Sequence, residues 1–138
     1  MRDNASIELR DNMSFDVTVN GHKMIIDTAN ESGGKNEGPR PKSLMLVALA
    51  GCTGMDVVSM LRKMRIAFDD LRIDVDGNIT EEHPRHFSQM HLRYIIKGKN
   101  IPVDKVNSAI DFSLERYCGV TFSYRNTIDI THELIIER

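Results

Sequence analysis

PKSLMLVALAGCTGMDVVSMLRKMRIAF, residues 41–68, is the stretch around which the rest of the chain has to be arranged. Pro41 suits a first helical turn, where its missing N–H costs nothing. The first half of the run is apolar all round, and Asp56, Arg62, Lys63 and Arg65 bring polarity only to the second half. A helix without a polar face is normally buried on every side. Covering one fully is demanding for a chain of 138 residues, which points to help from a second subunit. Ala48, Ala50, Gly51 and Gly54 are small enough to let another backbone come close. Each glycine costs about 1 kcal/mol against alanine in a helix interior, so packing is expected to offset them.

On the N-terminal side the pattern is that of strands. Met13, Phe15, Val17 and Val19 alternate with Ser14, Asp16 and Thr18, the period of a half-buried strand. Asn20-Gly21 follows, a two-residue hairpin signal in which both positions need positive φ. The return strand runs from about His22 to Asp27, and an earlier strand is placed around Ile7 to Arg10. Residues 29–40, ANESGGKNEGPR, read as a polar, glycine-rich and mobile connector. Gly33-Gly34-Lys35 within it fits neither GxxxxGK[ST] nor GxGxxG, so no nucleotide or phosphate site is read there.

On the C-terminal side, Leu71, Ile73, Val75 and Ile79 alternate with polar residues, as do Met90, Leu92, Tyr94 and Ile96 after the turn around Pro84. This predicts a long antiparallel pair with one solvated face. Pro102 opens a second helix carrying Val103, Val106, Ile110, Leu114 and Tyr117 as an apolar stripe. Cys118 sits at its end, with Gly119 as the stop. Ile128, Ile130, Leu134 and Ile136 mark a last strand. The order is β-β-β-α-β-β-α-β, with neither repeat nor linker, and the reading is one α+β domain over residues 1–138.

Composition limits the partners. Charged residues are 28% and hydrophobic ones 41%, with 18 basic and 20 acidic residues and a net charge of -2. No block of Lys or Arg recruits nucleic acid or an anionic membrane. MRDNASIELRDN has no apolar signal-peptide core, and the longest apolar stretch, Leu44 to Ala50, falls far short of the roughly 20 residues of a spanning helix. A cytoplasmic location is expected. Two cysteines in a reducing compartment are either unrelated buried thiols or a pair that cycles. There is no CxxC, and His83 and His86 flank a proline with no third ligand near them in sequence, so no metal and no cofactor is expected.

For each cysteine alone the bland alternative is a small core hydrophobe. Cys52 lies mid-helix, where the helix dipole gives a thiolate little help. A reactive Cys52 needs a neighbouring cation, for which Arg10 and Arg40 are candidates.

The segment GPRPKSLMLVALAGCTGMDVV, residues 38–58, resembles the central-helix signature of the OsmC/Ohr family of osmotically inducible and organic hydroperoxide resistance proteins. Glu115-Arg116-Tyr117-Cys118, followed by an alternating terminal strand, resembles the family's second cysteine motif, and the order of elements is similar along nearly the whole chain. The resemblance implies an intertwined homodimer of OsmC-like fold, with antiparallel sheets packed around a long buried central helix. It also implies a thiol-dependent peroxidase that reduces organic hydroperoxides at Cys52, with Cys118 as the resolving thiol and an external small or protein dithiol as reductant. Arg10 is the match proposed for the arginine that activates the nucleophile. The pattern departs at Lys42, where peroxidase-type members carry a glutamate, and this is the feature of a less characterised branch. Two further readings stay open beside the peroxidase: a non-catalytic dimer holding a small hydrophobic ligand, and a thiol redox sensor.

Overall fold

Asn20 and Gly21 form a tight two-residue turn. Their φ values of 52° and 77° are the two left-handed conformations that a two-residue hairpin requires. In the computed structural model, which describes residues 1–138, they join β2 (Ser14–Val19) to β3 (His22–Ile26), with Val19 opposite His22. β1 (Ala5–Asp11) pairs antiparallel on the other side of β2, with an irregularity between Leu9 and Asp11. The sheet order is β1-β2-β3.

The chain divides into two compact units, residues 1–45 and 46–138. In the first unit, the connector expected to be mobile is fixed by one carboxylate. Asp27, 3% exposed, accepts the backbone N–H groups of Thr28 at 2.7 Å, Lys35 at 3.1 Å and Glu37 at 3.1 Å. Main-chain bonds from Asp27 N–H to Pro39 O and from Asn36 N–H to Thr28 O, both 3.1 Å, close the loop further. These donors hold the Asp27 carboxyl below its ordinary range, the Glu37 N–H contributing most. Gly38 lies so close to Ile25 that a Cβ would overlap that residue's carbonyl group.

α1 (Ser43–Lys63), which belongs to the second unit from Leu46 onward, presents four rows at i, i+4 spacing. Leu49, Thr53, Val57 and Leu61 are fully buried. Val47, Gly51, Met55 and Ser59 are exposed, Met55 at 77%. Between these lie Ala50, Gly54 and Val58 on one flank and Cys52, Asp56 and Met60 on the other, all partly covered. The helix expected to be buried on all sides is therefore buried along one row within a single chain. With a mean hydropathy of 1.9 over 18 residues, α1 has the length and composition of a membrane span, which a seven-residue apolar count does not register. Its packed row gives it the part of a core helix in this fold. α1 ends with Ile66 N–H on Leu61 O (2.9 Å) and Arg65 N–H on Arg62 O (3.0 Å). This is a Schellman closure in which Arg65, at φ 57°, occupies the left-handed position usually given to glycine.

β4 (Asp70–Ile79) and β5 (Phe87–Lys97) form the expected antiparallel pair. Met90, Leu92, Tyr94 and Ile96 turn inward and are fully buried. The outer face carries the ion pairs Arg72–Asp74 and Arg93–Asp76 and a hydrogen bond between His91 Nε2 and Glu133 Oε2. β6 (Asp129–Glu137) adds to β5 in parallel, so this second sheet, β4-β5-β6, is mixed. A parallel neighbour needs a crossover, which the helical segment between β5 and β6 provides.

That segment is more broken than the apolar stripe predicts. α2 (Val103–Phe112) buries Val106, Ala109 and Ile110, while Val103 is 46% and Tyr117 61% exposed. A π-helical turn, residues 113–117, widens the helix and carries Tyr117 out of the stripe. Cys118 then adopts an extended conformation, φ -75° and ψ 101°, and α3 (Gly119–Tyr124) begins. Gly119, expected to stop a helix, instead opens one.

Candidate active site

The π-turn and the break after it place Cys118 beside α1. The Cys118 N–H reaches back to Ser113 O at 2.7 Å, closing the wide turn. Its Sγ occupies the cap position of α3 and accepts the Thr121 N–H at 3.4 Å. Cys118 is 3% exposed and Cys52 is half-buried; both are free thiols. The two sulfurs and a carboxylate oxygen of Asp56 all lie within 4.8 Å of one another. Cys52 and Asp56 share one flank of α1 at i, i+4 spacing, which is why both reach the same sulfur.

Burial raises the Cys118 thiol above its ordinary pKa. Thr121 opposes that rise through its hydroxyl and its N–H, while hydrogen bonding to the Cys52 sulfur adds to it. The Thr121 hydroxyl is buried and has no well-formed hydrogen bond of its own.

Behind the sulfurs runs a chain of buried hydroxyls. Tyr94 Oη lies 2.8 Å from Thr53 Oγ1, Thr53 Oγ1 lies 2.8 Å from Ser113 Oγ, and Ser113 Oγ donates to Asp56 Oδ2 at 2.9 Å. Each hydroxyl has a single proton. Ser113 gives its proton to the carboxylate, so it must accept from Thr53, and Thr53 must then accept from Tyr94. The polarity is fixed: Tyr94 to Thr53 to Ser113 to Asp56. Burial pushes the Tyr94 phenol up to about 12, against the pull of its Thr53 hydrogen bond, so it remains the proton donor at the head of the chain.

Asp56 also lines a cleft of about 490 Å³ with Met60, Lys63, Phe112 and Tyr117. A larger one, about 910 Å³, lies along the exposed flank of α1 against Leu71, Ile73 and Val75, and neither sulfur lines it. Neither cysteine lines the smaller cleft either; of the three grouped residues only Asp56 is part of its wall.

Of the residues expected at the site, Cys52 and Cys118 are brought together. Arg10 lies in the first unit, where its guanidinium binds Glu37 at 2.5 Å and approaches Asp16 at 3.6 Å. Those carboxylates hold the arginine pKa above its ordinary value, Glu37 foremost. Arg40 bonds Asn36 Oδ1 at 2.6 Å and Gly38 O at 3.0 Å. Sequence reasoning passed over Asp56, Thr53 and Ser113 as site residues. The expectation that no metal ligands converge did not anticipate the Cys52–Asp56–Cys118 group.

A helix carrying one cysteine, a second cysteine at a helical break, and two small sheets define the class. The chain matches the family described as OsmC-like protein over residues 34–133, and it belongs to that family. It is 34% identical to Protein YhfA of Escherichia coli K12 over 115 residues, 83% of each chain. A hypothetical protein from Aquifex aeolicus VF5 superposes with a TM-score of 0.84 at 24% identity, over 100% of this chain and 99% of that one. An organic hydroperoxide resistance protein OsmC from Legionella pneumophila gives 0.73 at 15% identity, over 98% and 97%. At these identities the structural likenesses speak for the α+β fold alone. Family and thiol proximity together fit a redox role.

Proposed function

We propose that the protein is a thiol-dependent peroxidase for organic hydroperoxides, working through Cys52 and Cys118. The observation that carries this reading is the approach of a half-buried sulfur to within 4.8 Å of a buried one. Cys52, the accessible member, attacks as thiolate the terminal oxygen of the hydroperoxide. The O–O bond breaks, Cys52 becomes a sulfenic acid, and the alkoxide leaves as alcohol after taking one proton. Cys118 then attacks the sulfenic sulfur, giving a disulfide and water. An external dithiol reduces the disulfide and is itself oxidised. Burial, with the neighbouring Cys52 adding to it, keeps Cys118 protonated, which suits a resolving thiol that waits on its partner.

The cleft beside Asp56 supports an organic rather than an inorganic peroxide. Phe112 and Tyr117 are exposed in it, with Met60, and suit an apolar substituent. Arg10 is the cation we assign to Cys52. The carboxylate that the family pattern has at position 42 is absent, but Arg10 has a carboxylate partner in Glu37, so an arginine–glutamate pair exists with a different glutamate. The uncovered row Val47, Gly51 and Met55 supports a homodimer, since an apolar face of this kind is normally covered. The domain is taken as residues 1–138, because the family match straddles the division between the two units. A reducing cytoplasm supplies the dithiol.

The test is consumption of cumene hydroperoxide by purified protein with reduced lipoamide. Turnover that is lost in Cys52→Ser supports the reading; consumption no faster than in that variant rejects it.

A further inference from the structure

Three ligand atoms of two chemical kinds meet at one point: Cys52 Sγ, Cys118 Sγ and an Asp56 carboxylate oxygen, mutually within 4.8 Å. In a tetrahedral zinc site, Zn–S is about 2.3 Å and Zn–O about 2.0–2.2 Å, which puts neighbouring ligand atoms roughly 3.5–3.8 Å apart. At 4.8 Å or less, the observed separations are within about 1 Å of the sulfur–sulfur spacing of such a site. Two thiolates and one carboxylate are a donor set for a small ion that accepts both sulfur and oxygen.

The surroundings are those of ligands held from behind. Ser113 donates to Asp56 Oδ2 and is itself fixed by Thr53 and Tyr94, all three fully buried. The carboxylate is thereby oriented by an outer hydrogen bond, as ligating carboxylates are. On the sulfur side, Thr121 gives its N–H to Cys118. The Thr121 hydroxyl, in a residue only 5% exposed, has no hydrogen-bond partner. A buried donor without a partner costs about 1–3 kcal/mol, and a charged sulfur is what would employ this one. The cleft next to Asp56 reaches the carboxylate side of the group from solvent.

We infer that Cys52, Asp56 and Cys118 form a binding site for one zinc ion in the reduced protein. Binding replaces the two thiol S–H bonds by S–Zn bonds and releases both protons to solvent, with no change of oxidation state. The inference stands on ligand geometry and does not depend on peroxide turnover.

The experiment uses the reduced full chain, without oxygen, titrated with Co²⁺ as a visible stand-in and then displaced by Zn²⁺. One Co²⁺ per chain is expected to give an intense sulfur-to-cobalt charge-transfer band and the strong visible bands of a four-coordinate ion, both abolished by one equivalent of Zn²⁺. Cys52→Ser and Cys118→Ser are each expected to remove most of the charge-transfer intensity. Asp56→Asn keeps the size of the side chain and an acceptor for Ser113, and is expected to weaken binding markedly while retaining the charge-transfer band. Far-UV circular dichroism confirms that each variant is folded. Absence of charge transfer in the wild type, a weak six-coordinate spectrum, or an Asp56→Asn variant that binds as the wild type does would each overturn the site.

Discussion

Asp27 and Asp56 are both drawn into the fold, and they are satisfied in opposite ways. Asp27 collects three backbone N–H groups from its own loop. Its surroundings are main chain within eleven residues, and all it does is shape the connector. Asp56 receives a side-chain hydroxyl from 57 residues away, at the end of a relay that crosses from strand to helix to π-turn. It also lies beside two thiols. The first carboxylate completes a local structure; the second ties distant elements together and keeps capacity for chemistry. Satisfaction by backbone marks the structural group, and satisfaction by a chain of hydroxyls marks the group at the site.

The comparison is broken most severely at Thr53. Thr53→Val removes the middle hydroxyl and leaves Tyr94 without an acceptor and Ser113 without a donor. A loss of about 2–3 kcal/mol is expected in urea unfolding, whereas Thr53→Ser, which keeps the oxygen, should lose less than about 1.5 kcal/mol. Equal losses from the two would show that the methyl packing, not the relay, matters.

The next effect is chemical. Because burial holds Cys118 as a thiol, Cys52 should be alkylated by iodoacetamide on the order of tenfold faster near pH 7.5. Peptide mapping of partially labelled protein checks the order, and equal rates would mean that the two thiols share one environment.

Asp27→Ala tests the other carboxylate. Proteolytic nicking within residues 28–37 should rise several-fold, while Cys52 alkylation stays unchanged. The same carboxyl contributes to acid sensitivity. Its folded pKa is depressed, so the unfolded chain binds the proton more readily, and stability rises with pH across that interval. The contribution is complete above the unfolded value of about 3.9 and is lost as pH falls through the lower folded value. Urea midpoints measured between pH 6 and pH 2, values chosen to bracket that interval, should therefore fall less steeply in Asp27→Asn than in the wild type.

The smallest effect lies outside both regions. Arg65→Gly relieves a left-handed conformation and should stabilise the chain by about 0.5–1 kcal/mol, readable as a raised Tm.

The elements of the fold were legible because their periods are clean. Asn20-Gly21 names its own turn, and the alternation through Leu92, Tyr94 and Ile96 separates a buried face from a charged one. What sequence does not display is a change of period inside a helix. The residues from Val106 to Tyr117 keep apolar spacing, yet the π-turn rotates the last of them outward and turns Cys118 from a helix end into a helix cap. The parallel direction of β6 is likewise a matter of crossover, invisible in the strand itself. At the site, the two cysteines stood out by type. Asp56 was readable as the i+4 neighbour of Cys52, and Thr53 as a polar residue in an apolar run, but no local signal connects either to Ser113.

The hydroxyl relay has a consequence for uniqueness. Taken singly, Tyr94, Thr53 and Ser113 could each point its proton several ways. Joined to a carboxylate that can only accept, they are left with one orientation out of many. Strand, helix and π-turn are thus keyed to one another by direction as well as by shape, and reversing any one hydroxyl would set two protons, or none, between a pair of oxygens further along the relay.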